Sequence, residues 1–395
     1  MIRPQATSPD ERIHLLDIIR GFALLGVLTI NIYDFSGFDY ATAETKESLA
    51  TYQLDVWVER IVKGIFQGKF YAIFSILFGI GFSIQIERLR EKTIGWRKIF
   101  FRRLGILFLF GAIHLQFLWT GDILVLYAFL GFFLTLFVEV NDRRLIIWSA
   151  ILLLLPILID SIMIPNELKP WDWLDETGLA IDAKNGIPDD DVAWRTYPFD
   201  PTHGFREFWY WMQPAPLYRL HGFLVENRIP RVLGLFLLGY FLGRKKYFHQ
   251  VDIHHNTIKK AMVYGLIMGV PANTVYFMAP EGLLKAVAYN IGVPSLAIAY
   301  MSIISLLQKR AKFFLLFASV GRMALTNYLS QTIICLLLFY NIGLGLGGNI
   351  GATAIFLIGL LIYGTQMAFS NFWLKQHLYG PMEALWRKLT YLKTR

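Results

Sequence analysis

Residues 15–31 read LLDIIRGFALLGVLTIN, an apolar run interrupted by Asp17 and Arg20 near its front and by Asn31 at its far end. A helix crossing a bilayer needs about 20 mostly apolar residues, and this stretch with its flanks supplies them. Its polar groups are the anomaly, because ionisable side chains at membrane depth are costly and mark function by default. Arg20 and Asn31 are eleven residues apart. At about 100° per residue that spacing puts them within roughly 20° of one face and about 16 Å apart along the axis. Asp17 lies one turn before Arg20 and can pair with it. The plainer explanations are interfacial anchoring for Asp17 and Arg20, and an interhelical hydrogen bond for Asn31.

The same kind of block recurs along the chain. Of 395 residues, 55% are hydrophobic and only 17% charged, against about 45–50% and about a quarter in soluble domains. Apolar blocks predict helices over about 13–33, 61–84, 99–118, 121–138, 143–164, 229–243, 257–279, 283–307, 314–340 and 350–372. The expected fold is therefore an all-α polytopic membrane protein with about ten transmembrane helices in a single domain. The net charge of +9 follows from basic loops and calls for no nucleic-acid partner. Its one cysteine, Cys335, sits in an apolar block and allows no intrachain disulfide. The start, MIRPQATSPDERIH, lacks the layout of a signal peptide, so the first block is read as a retained helix.

Loop charge predicts orientation. Segment 85–103 carries seven Lys/Arg against two Glu, and 244–260 carries five against one Asp; Lys309, Arg310 and Lys312 precede the ninth block, and 373–395 has five basic residues and one acidic. Loop 34–60 has six acidic and two basic residues, and 165–228 has eleven and six. Ten helices put every basic segment on one side and both acidic ones on the other, which places both termini in the cytoplasm. The long segment 165–228, aromatic and acidic, is expected to form an ordered extracytoplasmic cap. Its stretch FREFWYWMQPAPLYRLHGFLV suits either the interface or the membrane.

Other polar residues interrupt the blocks. Lys69 lies in the outer half of the second helix, where snorkelling is the ordinary explanation, and Gly68, Gly79 and Gly81 there suggest close packing. In FRRLGILFLFGAIHLQFLWTGDILVLYAFLG, His114 ends one helix and Asp122 opens the next. A carboxylate that fixes a histidine tautomer is what a general base needs; the alternatives are a structural His and an N-cap Asp. Arg102 and Arg103 join a cluster with Arg88, Arg90, Lys92, Arg97 and Lys98 that suits a phosphorylated cofactor or anionic headgroups, and equally plain positive-inside bias. In GRMALTNYLSQTIIC, Arg322 precedes a polar stripe containing Asn327 and Gln331, either a substrate path or interhelical glue. No Walker A loop, GxSxG elbow, HExxH or paired CxxC occurs, and GLGLGG at 343–348 follows no strand. No metal site is expected.

Taken in order, LLDIIRGFALLGVLTIN, GKFYAIFSILFGIGFS, FRRLGILFLFGAIHLQFLWTGDILVLYAFLG, GRMALTNYLSQTII and YGPMEALWRKLTY resemble the YeiB-like membrane proteins, catalogued as domain of unknown function 418. The LDxxRGxA start is also similar to the first helix of transmembrane acyltransferases of the heparan-glucosaminide N-acetyltransferase and acyltransferase-3 types. That wider likeness implies acyl-CoA, acetyl-CoA in the first instance, used from the cytoplasm to acylate an acceptor across the membrane. Asp17, Arg20 and Gly21 match the motif. Where acyltransferase-3 proteins end it with a histidine, this chain has Asn31, and no histidine occurs between His14 and His114.

The resulting expectation is an acyltransferase of a bacterial cytoplasmic membrane, surrounded by lipid and acting on a small carbohydrate or headgroup acceptor. His114, oriented by Asp122, would be its base; Lys69 or Asn31 would steady the oxyanion. Asp17, Arg20, Arg102, Arg103 and Arg322 would hold the CoA. The rival is a transporter on the same scaffold, gated by Asp17, Arg20, Asn327 and Gln331. Monomer and homodimer fit equally.

Overall fold

The computed structural model describes residues 14–92, 95–309 and 312–391. The expectation about the first thirteen residues, and those about Arg310 and the side chains of Lys92 and Lys312, lie outside the described residues. The fold is an all-α polytopic membrane fold, and no strand occurs among the described residues.

After α1 (His14–Phe35) come a short α2 (Ala43–Glu47), α3 (Tyr52–Phe66), α4 (Lys69–Lys92), α5 (Trp96–Phe117), α6 (Leu124–Leu134) and α7 (Asp142–Met163). The segment expected to be a cap folds into α8 (Asp172–Lys184), α9 (Asp191–Thr196), α10 (Phe205–Met212) and α11 (Ala215–Val225). It is ordered, and its helices are too short to span. Then follow α12 (Arg228–Arg244), α13 (His255–Met278), α14 (Leu283–Leu307), α15 (Leu315–Arg322), α16 (Ala324–Phe339), α17 (Ala352–Gln376) and α18 (Pro381–Thr390). Among the described residues seven stretches are long and apolar enough to cross a membrane, and the bent pair α15–α16 makes an eighth. Two expected spans are shorter, Leu124–Phe137 and α12, which has 17 residues.

Two expected helices are broken. The block at 61–84 is two helices, α3 and α4, parted at Gly68, whose φ of 79° suits glycine. The carbonyl of Gly64, freed at this break, accepts from Lys69 Nζ and from Asn273 Nδ2, both at 3.0 Å. The block at 314–340 bends by 82° between α15 and α16. A helix start inside a membrane protein leaves amide N–H groups that must find partners within the protein. Here Glu383 on α18 supplies them: its Oε1 accepts from the amides of Leu325 (2.7 Å) and Thr326 (3.1 Å), and its Oε2 accepts from the Thr326 hydroxyl.

The cap is tied by Asp182, which accepts from Trp194 Nε1 at 2.7 Å and from the Tyr218 hydroxyl. Burial nevertheless pushes this carboxyl pKa up from the ordinary aspartate value. Arg219 on α11 docks the cap onto the α5–α6 turn by donating to the carbonyls of Gly121 and Asp122.

At the centre, helices meet backbone to backbone. A Cβ on Gly21 would lie 2.0 Å from the Phe317 carbonyl oxygen, and one on Gly321 would lie 1.9 Å from that of Asp17. The crossing of α4 with α12 is built the same way by Gly79 and Gly239, whose Cβ atoms would meet the Phe236 and Ile76 carbonyls at 2.1 and 2.0 Å. Small residues permit such approaches between membrane helices. Gly81, expected to pack as well, has nothing within 4 Å and faces a cavity instead. Gly79→Ala should therefore lower the thermal unfolding midpoint in nanodiscs by the equivalent of about 1–3 kcal/mol, whereas Gly105→Ala, inside α5 with open space around it, should leave it unchanged or raise it slightly. Equal midpoints for the two variants would contradict this packing.

Candidate functional site

One face of α1 carries Arg20, Leu24, Val27, Asn31 and Asp34, spaced four, three, four and three residues apart, and all five line one cavity of about 740 Å³. Fourteen residues at 1.5 Å each make this face about 21 Å long, most of a hydrocarbon core of about 30 Å. The wall is completed by α4, α5, α6 and α16, with the cap over one end.

The cavity is chemically graded. Its basic end holds Arg20, Arg103 and Arg322 with Gln85 and Glu383. Arg20 pairs with Asp17 at 2.8 Å, and the Arg103 guanidinium lies 3.7 Å from the Trp386 ring centroid, a cation–π contact. The waist is apolar, formed by residues such as Val27, Phe74, Leu77 and Leu124. At the cap end stand Asn31, Asp34, Tyr40, Trp119, Arg219 and Arg228. Asp34 Oδ2 accepts from Trp119 Nε1 at 2.7 Å, and Oδ1 accepts from the Tyr40 hydroxyl. A carboxylate held by two donors and open to a cavity is oriented and accessible at once.

The structure divides the expected site residues. Arg20, Asn31, Arg103 and Arg322 share the cavity; Asp17 reaches it only through Arg20. Arg102 lies outside its lining and donates to the Thr390 carbonyl at 3.3 Å. Lys69 is 1% exposed and spends its ammonium on the break between α3 and α4. Asn327 and Gln331 also lie off the cavity: Asn327 donates to Ser370 (3.0 Å), Gln331 to Gln366 (2.9 Å), and Gln366 back to the Asn327 carbonyl. That stripe joins α16 to α17 by hydrogen bonds.

His114 and Asp122 do converge, directly behind the cavity wall, but neither is part of its lining. Nδ1 of His114 lies 2.8 Å from Asp122 Oδ2, and Nε2 lies 2.9 Å from the Thr332 hydroxyl. The carboxylate can only accept, so Nδ1 carries the proton and Nε2 accepts from Thr332. His114 is 1% exposed and both its nitrogens are engaged. Asp122 Oδ1 accepts from the Val125 amide at 2.9 Å, capping α6. Together they hold the turn that presents Trp119 and Gly121 to the cavity. The reading of the sequence missed Asp34, Arg219 and Tyr40. Asp34 had a signal, since it extends the α1 stripe by one further step; the other two arrive from distant segments.

The residues 242–393 match the family model described as "Protein of unknown function (DUF418)". The Bacillus subtilis (strain 168) protein described as "Uncharacterized protein YxaH" is 33% identical over 417 residues, covering 98% of this chain and 96% of the relative. The chain belongs to the YeiB-like DUF418 family. Escherichia coli (strain K12) YeiB, described as uncharacterized, is 29% identical over 408 residues, covering 96% of each chain. A Bacillus acidopullulyticus protein, "Uncharacterized 39.9 kDa protein in amylase 3'region", is 28% identical over 386 residues. Among the described residues no group of three or more His, Cys, Asp or Glu side chains is arranged to hold a metal.

Asp122→Ala in this DUF418 protein strands both the His114 ring and the first turn of α6. Leaving two buried N–H donors without their carboxylate acceptor costs about 1–3 kcal/mol each, so the variant should unfold at a clearly lower temperature. Thr332→Val, which removes one neutral hydrogen bond, should cost about 1 kcal/mol. A freely accessible catalytic His114 would instead leave both midpoints near that of the wild type.

Proposed function

We propose that the protein is a membrane-integral acyltransferase of the bacterial cytoplasmic membrane that moves an acyl group from cytoplasmic acyl-CoA to an extracytoplasmic hydroxyl or amine. The observation that carries this reading is the grading of a single cavity: three guanidinium groups at one end, an apolar waist, and an oriented carboxylate at the other. The phosphates of CoA suit Arg20, Arg103 and Arg322, since arginine recognises phosphate through paired N–H donors. The pantetheine arm lies along the waist and brings the thioester to the cap end.

There Asp34 takes the role expected of His114. Its carboxylate accepts the proton of the acceptor O–H or N–H as that atom bonds to the thioester carbonyl carbon. Asn31 donates a hydrogen bond to the developing oxyanion. Collapse of the tetrahedral intermediate breaks the C–S bond, and the proton passes from Asp34 to the departing thiolate, giving CoA-SH and the acylated acceptor. A transporter would use the length of the cavity equally well, but two of its expected gates, Asn327 and Gln331, lie outside the lining.

Calorimetry of the purified protein with acetyl-CoA, against ATP as a charge control, tests the donor end. Arg103→Ala should weaken acetyl-CoA binding by about tenfold, or about 1.4 kcal/mol, while Asp34→Asn should bind normally. With a mixed acceptor pool, Asp34→Asn should lower acyl transfer by about 10²–10⁴-fold. Acetyl-CoA binding no tighter than that of ATP, or transfer undiminished in Asp34→Asn, overturns the reading.

A further inference from the structure

A second cavity, of about 930 Å³, lies beside the first and shares Gln67, Arg228 and Tyr289 with it. Its walls come from the end of α7, the start of α8, the α11–α12 connection and the facing ends of α13 and α14. Helices α7 and α13 are the least buried of the candidate spans, with 17% and 11% of their apolar windows covered by protein. The cavity thus sits where two lipid-facing helices end, and Met163, Ile164, Leu168 and Val225 give it an apolar flank.

The polar lining is mixed in sign. Three cations are offset within the wall: Lys285 by Glu281, Arg228 by Glu226, and Lys169 by Asp172 at 3.8 Å. Besides His221, what remains is a row of buried and half-buried groups. Arg231, 4% exposed, donates through Nε (3.0 Å) and Nη2 (2.8 Å) to Asn290 Oδ1. Asn290 Nδ2 points back toward Asp160 Oδ2 at 3.5 Å, and Asn227 Nδ2 donates to Asp160 Oδ1 at 2.7 Å. The row is positive at Arg231 and negative at Asp160, with both charges held in place by neutral amides. At the exposed rim Glu167 adds a carboxylate with no ion-pair partner among the described residues.

The charges of this wall nearly balance, five carboxylates against four cations, and offer little surplus to a simple anion or a simple cation. It complements a ligand that carries both charges a few ångströms apart. We infer that the second cavity binds a zwitterionic ammonium–phosphate headgroup, that of an aminophospholipid whose acyl chains lie along α7 and α13. The phosphate faces Arg231, the ammonium faces Asp160 and Glu167, and the Tyr276–Tyr289 ring pair, 5.2 Å apart, flanks the ligand. Primary ammonium suits the carboxylates because it donates three hydrogen bonds. This site goes beyond the acyl-transfer reading and does not require it. Its occupant lies next to the first cavity, separated from it by Arg228 and Tyr289.

The test is native mass spectrometry of the full chain released from nanodiscs of equal phosphatidylethanolamine and phosphatidylglycerol. Retained phosphatidylethanolamine should exceed phosphatidylglycerol by about tenfold. That excess should shrink severalfold in Glu167→Gln, a rim change that leaves the fold intact, and vanish in Asn290→Leu. Equal retention of the two lipids, or an excess unaffected by Glu167→Gln, overturns the inference. Soluble phosphoethanolamine is the second arm: competition with the bound lipid supports headgroup recognition. Phosphoethanolamine binding without any lipid enrichment assigns the site to a free zwitterion and overturns the lipid assignment. An acetyl-CoA titration of the same samples reads the first cavity separately, so the two proposals fail independently.

Discussion

A polar group placed within a membrane-spanning fold must find its partner in the protein, and that requirement organises this molecule. Lys69 and Asn273 close the break between α3 and α4 by donating to the Gly64 carbonyl freed there. Glu383 reaches from the last helix to the broken start of α16 for the same reason. His114, Asp122 and Thr332 form a closed set in which each hydrogen-bonding atom is used. Such groups look functional in a linear sequence because they are expensive. Most of them are structural, and their cost is offset locally.

The exceptions identify the site. Arg20, Asn31, Asp34, Arg103 and Arg219 face an open volume within the fold. The cavity survives because its walls are pinned at a distance from it. The glycine crossings of α1 with α15 and of α4 with α12 bring backbones into direct contact and fix the positions of the two helices that contribute most to the lining. Tight packing behind the wall and open space before it are two faces of the same helices. On α4 the change happens within three residues, from Gly79 against α12 to Gly81 at the cavity.

The two cavities give the cap a purpose within this arrangement. Arg219 docks it on the α5–α6 turn, and Asp182 holds its own helices together. The cap therefore closes the end of the first cavity where Asp34 lies and frames the second, whose polarity is set by Arg231, Asn290 and Asp160.

Local composition and periodicity were enough to establish the all-α membrane fold, the position of most helices, the existence of an ordered cap and the polar face of α1, because hydrophobic patterning reports burial in lipid directly. They also located His114 beside Asp122. Which polar residues are free could not be read from the chain. His114 and Thr332 are 218 residues apart, Arg103 and Trp386 are 283 apart, and whether a side chain is satisfied depends on what distant helices bring to it. The two helix breaks were hidden for a related reason, since helix-forming sequence continues on both sides of Gly68 and Met323, and the breaks are stabilised in part by Asn273 on α13 and Glu383 on α18. Tertiary structure alone decided that the carboxylate of Asp34, and not the ring of His114, stands open to the cavity.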